Sequence, residues 1–261
     1  MEGEAALRLG VFVGVLGAMA LWEALAPRRA DFAGPRRRWP ANLAFAVFGT
    51  LVGRVLVPGG AAAFALHAQG QGWGFLAGAP GFVAIPAAVV LLDLAIYFQH
   101  RIFHRAPLLW RLHRMHHSDL AFDTTTGIRF HPLEIALSLA IKLAVIAATG
   151  APPEAVVIFE LLLNGSSLFN HANIAMPAGL ERALRLIVVT PDMHRIHHSW
   201  RRDETDSNFG FCVSVWDRLF GTYRAEPADG QLGLTIGLPE FRDPADQRLL
   251  PLLAQPFRRP Q

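Results

Sequence analysis

The chain has 261 residues, of which 52% are hydrophobic and only 17% are charged, and its mean hydropathy is +0.30. Because soluble proteins carry about 25% charged residues, this composition excludes a disordered chain and argues against a nucleic-acid-binding protein despite a net charge of +3. The single cysteine, Cys212, excludes an intrachain disulfide and a cysteine-rich zinc module. These properties predict one integral membrane domain over residues 1–261, and the eleven histidines predict a histidine-rich site within it.

Five apolar stretches are long enough, or nearly so, to cross a hydrocarbon core that needs about 20 helical residues. They cover residues 7–26, 41–57, 80–99, 132–149 and 153–169. Pro58-Gly59-Gly60 interrupts the chain after the second stretch. The last two stretches begin at prolines, which favour the first helical position, and form a hairpin that either spans the membrane or is re-entrant. The sequence therefore predicts an all-α membrane protein with four to five transmembrane helices.

Basic residues in the connections orient these helices. The connections 27–40 and 100–131 are rich in arginine, whereas the connection 69–79 contains no charge. Because cytoplasmic loops carry the excess of Lys and Arg, we expect the arginine-rich segments on the cytoplasmic side and the acidic N-terminus outside. The histidine-rich segments 100–131 and 171–224 would then be cytosolic. They would form part of a cap of short helices and loops, followed by a loose, proline-rich tail over residues 239–261.

Two charges lie inside the predicted hairpin. Lys142 is ten residues past Pro132, and Glu160 is ten residues before Asn170. At a rise of about 1.5 Å per residue, both lie roughly 15 Å from the same edge of the membrane. Ionisable groups at that depth are costly without a partner. The sequence predicts that these two side chains pair with each other; a proton or ion pathway is the alternative.

Histidines recur with fixed spacing in three places. His100 and His104 are four residues apart at the end of the third stretch and therefore share one helix face. Asp93 and Tyr97 extend the same stripe deeper, where they could orient the second ring nitrogen of a ligand. The pattern H-x-x-H-H occurs twice, and its members are His113, His116, His117, His194, His197 and His198. Surface histidines have no reason to repeat a spacing, and buried ones without a ligand would each need a hydrogen-bond partner.

Eight imidazoles exceed the needs of one metal ion, since zinc is usually satisfied by about four ligands. A pair of metals fits this count, and imidazole suits iron, zinc, copper and nickel alike. His171 follows the fifth stretch and is either a ninth ligand or a helix-capping residue. His131 precedes a proline and is expected to cap the next helix or to support a ligand. His67 lies apart, near the uncharged connection.

These motifs resemble the fatty acid hydroxylase/sterol desaturase superfamily. The resemblance rests on D-x-x-x-Y-x-x-H-R-x-x-H at 93–104, L-W-x-x-H-x-x-H-H-S at 109–118, T-x-x-R-x-H-P-x-E at 126–134, T-P-x-x-H-R-x-H-H-S at 190–199, N-F-G at 208–210 and W-D-R-L-F-G-T-Y at 216–223. It covers about residues 90–224. The asparagine that is usual in the family near Asp123 is replaced here.

The resemblance implies a non-haem di-iron centre at the cytoplasmic membrane face, held by the eight motif histidines together with His171. It implies two iron ions, dioxygen as co-substrate, and attack on an unactivated C–H bond of a lipid such as a sterol, a fatty acyl lipid or an ether lipid. Asn208 and Asp217 join Asp93, Tyr97 and His131 as candidates for supporting the ligands. Electrons would come from a separate donor of the ferredoxin or cytochrome type, and a bacterial inner membrane is the expected location.

A metal transporter or metal-storage protein is the main alternative. Transport favours ligands near the bilayer midplane, whereas these histidines lie beyond the ends of the apolar stretches. Within the oxygenase class, hydroxylation and desaturation share their first step; the motifs look more like the hydroxylase branch. The arginine-rich face that includes Arg201 and Arg202 is either the topogenic signal alone or also a docking surface for the electron donor.

Overall fold

The computed structural model describes residues 2–30 and 35–259, and within these the regular structure is helical, with isolated β-bridges as the sole strand-like pairing. The seven helices of the first part are α1 (Glu2–Leu25), α2 (Pro35–Leu56), α3 (Gly60–Gly70), α4 (Gly81–Arg105), α5 (Pro107–His117), α6 (Pro132–Thr149) and α7 (Pro153–Asn170). The shorter helices that follow are α8 (Ala178–Leu184), α9 (Pro191–His197), α10 (Arg202–Thr205), α11 (Val215–Leu219), α12 (Gly230–Gly233) and α13 (Leu249–Ala254). Single 3₁₀ turns occupy Thr124–Ile128, Pro244–Gln247 and Gln255–Phe257. The predicted all-α class is confirmed.

Four helical segments of the described chain are long and apolar enough to cross a membrane: Gly3–Leu25, Arg38–Gly70, Gly81–Arg105 and Pro132–Thr149. The protein is thus a multi-pass membrane protein with four candidate crossings, within the four to five predicted. The fifth predicted stretch forms α7, which packs against α1, α3 and α4 instead of standing free. This packing lets α7 carry polar residues that lipid would penalise, such as Ser167, whose hydroxyl donates to the Gly127 carbonyl at 2.5 Å.

The Pro58-Gly59-Gly60 break separates α2 from α3, yet both helices pack against α6. A Cβ added at Gly49 of α2 would lie 3.4 Å from the side chain of Ile135, near the start of α6. Beyond α3, the Leu76 amide donates to the Thr149 carbonyl at the end of α6, at 2.8 Å. The two helices therefore run one after the other along α6 and make a single crossing.

The charged residues inside the helical bundle form the predicted pair. Lys142 Nζ lies 2.5 Å from Glu160 Oε1, which confirms the prediction. Arg8 of α1 adds a second cation, 2.7 Å from Glu160 Oε2, and Arg8 also pairs with Glu4 at 2.9 Å. Because unpartnered charges are expensive inside a membrane, this network ties α1, α6 and α7 together.

Small side chains bring the inner helices close to one another. Ala65 of α3, Ala88 of α4 and Ala155 of α7 are fully buried in one apolar cluster that also contains Phe159. Such small residues allow membrane helices to approach closely. As a result, the C-terminal ends of α4 and α7 and the N-terminal end of α6 meet at one end of the bundle, where the histidines lie.

The C-terminal segment differs from the loose tail expected over residues 239–261. As far as residue 259, it packs on α5, and Leu252 is fully buried in a cluster with Phe45 and Met115. Two arginines of α5 satisfy its carbonyls: Arg111 Nε donates to Pro256 O at 2.6 Å, and Arg114 donates to the adjacent turn. The segment is therefore held against α5 by its buried leucine and by its backbone carbonyls, in spite of its proline-rich composition.

The arginine-rich connection contributes more than topogenic charge. Arg38 is only 3% exposed, and it forms ion pairs with both Asp119 and Asp123, the latter at 2.6 Å. Burial acts to raise the pKa of Asp119, but Arg38 and Arg129 outweigh it and lower that pKa to about 2. The aspartate that replaces the usual family asparagine is therefore balanced by a buried guanidinium.

Candidate metal centre

The nine histidines predicted as ligands converge at the end of the bundle and form two adjacent groups. Within each group, one ring nitrogen of every member lies within 4.8 Å of those of the others. Group A is His100, His104, His113, His117 and His197, and group B is His116, His171, His194 and His198. All nine are buried, with no exposed fraction above 6%. His67 lies apart, against the Trp73 ring at the other end of the bundle.

Each H-x-x-H-H motif contributes two histidines to one group and one histidine to the other. On α5, His113 and His117 belong to group A and the middle residue, His116, to group B. Around α9 the pattern is reversed, since His194 and His198 belong to group B and His197 to group A. Residues four apart share a helix face, while the third position is turned away by about 100° from the fourth. Each motif therefore links both groups.

Prolines begin both of the helices that carry these motifs, and a side-chain cap precedes the second. Pro107 and Pro191 occupy the first turns of α5 and α9. Thr190 caps α9 by accepting a hydrogen bond from the Met193 amide. His131 caps α6 by accepting from the Leu133 amide at 3.2 Å, which confirms its predicted capping role.

Many of the ring nitrogens are fixed by an oxygen on the far side of the ring. Four rings donate through Nδ1. His100 donates to the Phe209 carbonyl (2.9 Å) and His113 to Glu134 Oε1 (2.7 Å). His171 donates to the Ser167 carbonyl (2.8 Å) and His197 to the Ser207 carbonyl (2.7 Å). His104 Nδ1 lies 3.3 Å from Asp206 Oδ1. A ring that donates through Nδ1 carries no proton on Nε2 when neutral. Each Nε2 therefore presents a free lone pair to the interior of its group.

These lone pairs face one another at short range. In group A, Nε2 of His197 lies 3.0 Å from that of His100, and both rings donate through Nδ1. In group B, Nε2 of His194 lies 3.1 Å from that of His171; His194 Nδ1 has no oxygen partner in the described part of the chain, so only the group A pair is fixed as two facing lone pairs. Two lone pairs at this distance repel unless a cation lies between them. Two nitrogens that bind one ion at right angles, each at about 2.1 Å, are about 3.0 Å apart. The donor set thus fits one metal ion in each group.

His198 points to the same conclusion. Both of its ring nitrogens are buried with no hydrogen-bond partner in the described part of the chain. Buried polar atoms are rarely left without partners, and a metal ion in group B would satisfy one of them. In His116, His117 and His194 the nitrogen that faces the other rings is Nε2, and Nδ1 has no partner in the described residues. Burial, followed by neighbouring rings, lowers the pKa of His116, His117, His194 and His198 well below its usual value. Burial also lowers the pKa of His171 and His197 to about 3. The neutral rings that result are the form that metals require.

Asp93 and Tyr97 do not orient ring nitrogens as expected. Asp93 accepts hydrogen bonds from Trp216 Nε1 at 2.8 Å and from the Cys212 amide at 3.2 Å. Tyr97 pairs through its hydroxyl with that of Thr222, at 2.8 Å. Asp93 and Tyr97 therefore hold the segment 208–222 against α4. The Nδ1 atoms of His100 and His104 contact oxygens of Phe209 and Asp206 instead.

Asn208 and Asp217 support the ligands through the backbone. Asp217 accepts from the amides of Phe209 at 2.7 Å and Gly210 at 2.8 Å. Asn208 has a left-handed backbone, with φ of 52°, and its side chain donates to the Met193 carbonyl at 3.0 Å. These contacts fix the backbone whose carbonyls, on either side of Asn208, hold two rings of group A.

Sequence reasoning missed the acidic partners of the rings. Glu134 lies in the first turn of α6, and its place in the H-P-x-E motif was the available signal. Asp206 ends α10 in a polar loop without a comparable signal. The carbonyl of Ser167 leaves no trace in the sequence, since any residue type provides that acceptor.

Nine buried imidazoles at one end of apolar helices define a membrane protein with a metal-capable histidine cluster. The chain belongs to the fatty acid hydroxylase family, whose profile matches residues 85–222, just over half of its length. This confirms the resemblance seen in the motifs.

The chain is also similar to several named proteins. The chain is similar to an ornithine lipid hydroxylase of Rhizobium tropici, with 30% identity over 66% of the chain and 49% of the relative. It is also similar to the human alkylglycerol monooxygenase, with 30% identity over 59% of the chain and 34% of the relative. A cholesterol 25-hydroxylase-like protein of Danio rerio is 25% identical over 62% of the chain and 65% of the relative. The chain thus spans half or less of the first two proteins, and no solved structure gives a significant match.

Proposed function

We propose that the protein is a membrane-bound di-iron oxygenase that uses dioxygen and external electrons to hydroxylate an unactivated C–H bond of a lipid. The observation that carries this proposal is the pair of interlocked groups of five and four buried imidazoles at the end of the membrane helices. The relatives are named as hydroxylases and monooxygenases that act on lipids, which supports hydroxylation over desaturation.

Group A and group B would each hold one iron ion. Bound iron supplies the oxidising chemistry that acid–base side chains lack. The protein's own contribution is to keep the rings neutral and correctly turned, through Glu134, Asp206 and the three carbonyls, and to exclude water. Imidazole alone does not select iron over zinc or copper, so the assignment of iron follows from family membership.

The ring of Phe211 offers a route for the lipid. It lies beside both groups, since its centroid is 6.5 Å from that of His100 in group A and 6.5 Å from that of His194 in group B, and those two centroids are 6.3 Å apart. It is partly exposed, although both histidines are buried. An apolar chain that entered beside this ring would reach both groups without crossing a polar surface. Sterol, fatty acyl and ether lipids all suit such a route.

A polar cleft beside group A would serve the separate electron donor, of the ferredoxin or cytochrome type. It has a volume of about 470 Å³, and its lining includes Arg101, Arg105 and Arg224 together with Asp206 and Ser207. The last two contact rings of group A. A donor with an acidic surface would therefore dock within a short distance of that group, on the face that we expect to be cytoplasmic.

The test is metal content measured together with lipid oxidation. Purified full-length protein in nanodiscs is expected to bind two iron ions and to oxidise lipid with dioxygen and a reductant. His197→Ala should lose both properties, whereas His67→Ala, far from both groups, should keep both. Iron binding without oxidation of any lipid class would favour the transport or storage alternative, and full activity in metal-free protein would overturn the proposal.

A further inference from the structure

Among the large apolar side chains exposed outside the candidate membrane spans, four lie on two neighbouring segments and are named here the lipid-side patch: Leu186, Ile187, Val215 and Leu219. Val215 and Leu219 are four residues apart on α11 and share one face. The Ser214 amide donates to the Ile187 carbonyl at 3.0 Å, and the antiparallel bridge between Val188 and Val213 lies beside it. The two segments therefore present a continuous apolar face.

This patch lies beside the middle of a membrane helix. Trp216 of α11 donates to Asp93 of α4 at 2.8 Å. One turn further along, the Phe220 ring lies 5.0 Å from that of Phe98 and 5.3 Å from that of Tyr97. Side chains at the start of α11 and just past its end thus contact α4 between residues 93 and 98, below the histidines at residues 100 and 104.

The depth of this contact follows from helix length. Helix α4 begins at Gly81, where Phe82 is 82% exposed, as is typical of the aromatic boundary of a membrane. A hydrocarbon core of about 30 Å takes about 20 residues from there, which ends at Arg101. At about 1.5 Å per residue, the stretch from Asp93 to Phe98 lies roughly 5–12 Å inside the hydrocarbon core, measured from its edge at Arg101.

We propose that the lipid-side patch is embedded in the hydrocarbon of the bilayer, so that the segments 186–187 and 215–219 belong to the membrane and not to an aqueous cap. On α4, three residues before Asp93, Val90 is 51% exposed and lies within a candidate membrane span. Arg218 lies next to the patch, and its guanidinium stacks on the Tyr223 ring at 4.1 Å. Arginine at such an edge can keep its charge in the headgroup layer while its stem lies against apolar groups.

Site-specific fluorescence in nanodiscs tests this placement without using activity. In a Cys212→Ala background, single cysteines replace Ile187, Leu219, Val90 or Leu232 and are labelled with an environment-sensitive probe. Leu232 is the matched control, because it is 65% exposed, like Leu219 at 65% and Ile187 at 66%. It lies on α12, which packs on α9 instead of α4. Quenching is measured with brominated phosphatidylcholine and with aqueous iodide.

Labels at positions 187 and 219 should lose fluorescence to the brominated lipid as strongly as the label at position 90, and should resist iodide. The label at position 232 should show the opposite behaviour. Iodide quenching at 187 and 219 equal to that at 232 would overturn the proposal, and so would equal lipid quenching at all four positions. Far-UV circular dichroism of each variant shows that its fold is intact.

Discussion

The contact between His113 and Glu134 leads to the sharpest prediction. Glu134 Oε1 accepts from His113 Nδ1 at 2.7 Å, and the side chains of both residues are 4% exposed. A carboxylate in that position raises the basicity of the ring, and loss of such a partner typically costs about 10–100-fold in metal affinity. Glu134→Gln keeps an acceptor oxygen but removes the charge. We therefore expect about 1.4–2.8 kcal/mol weaker iron binding.

Glu154→Gln is the matched control. Both glutamates lie in the first turn of a helix, Glu134 in α6 and Glu154 in α7, so both substitutions remove a favourable interaction with the helix dipole of about 0.3–1 kcal/mol. Glu154 is exposed and lies at the far end of α7 from His171. The Glu154→Gln substitution should therefore leave iron affinity unchanged.

The assay is iron retention against a competing chelator. Full-length protein in nanodiscs is equilibrated with increasing chelator, and the bound iron is counted by mass spectrometry. The chelator concentration that removes half of the iron should fall about 10–100-fold for Glu134→Gln. An unchanged midpoint would refute the argument that this carboxylate tunes the ring, and an equal fall for Glu154→Gln would assign the effect to the helix dipole.

Three further predictions follow from buried charge and from the backbone supports. Arg38→Ala should destabilise the protein by about 3–5 kcal/mol, because it leaves the buried Asp123 carboxylate without its cation and Asp119 with Arg129 alone; denaturant unfolding should show no comparable loss for the exposed Arg105→Ala. Asp217→Asn should cost about 1–3 kcal/mol, because an amide cannot accept from two backbone amides as well as a carboxylate does; a thermal melt that matches wild type would contradict this. The metal-free protein should lose stability as the pH falls below 6.5, because the unfolded chain takes up protons while burial holds the pKa of His171 and His197 at about 3. Melting temperatures should be constant between about pH 7 and pH 8 and fall at pH 5.5; a flat profile would count against neutral buried rings.

Local patterns in the sequence account for much of the site. The positions of His100 and His104, four residues apart, fix a shared helix face in any helix, and Thr190-Pro191 marks a helix start by cap chemistry. The pairing of Lys142 with Glu160 followed from helix rise and the cost of a lone charge in lipid. Each of these inferences needs knowledge of one helix or one hairpin alone.

The rest depends on how distant elements pack. The division of the histidines into group A and group B follows from the orientation of α5 relative to α9, which no local pattern encodes. Arg38 looked like a topogenic loop charge because its partner Asp119 is 81 residues away. Asp93 lies on the predicted stripe, but its partner is Trp216, on a segment that the polar composition placed outside the membrane.

The left-handed turn at Asn208 has a mechanical consequence. The carbonyls on either side of this single residue hold His100, from a membrane helix, and His197, from α9. The backbone conformation of Asn208 therefore determines the orientation of two imidazoles on different helices. Glycine or asparagine can adopt this torsion at low cost, whereas a branched side chain resists it. A substitution that touches no metal ligand can thus reshape the geometry of group A, and any displacement of the loop is transmitted to both rings at once.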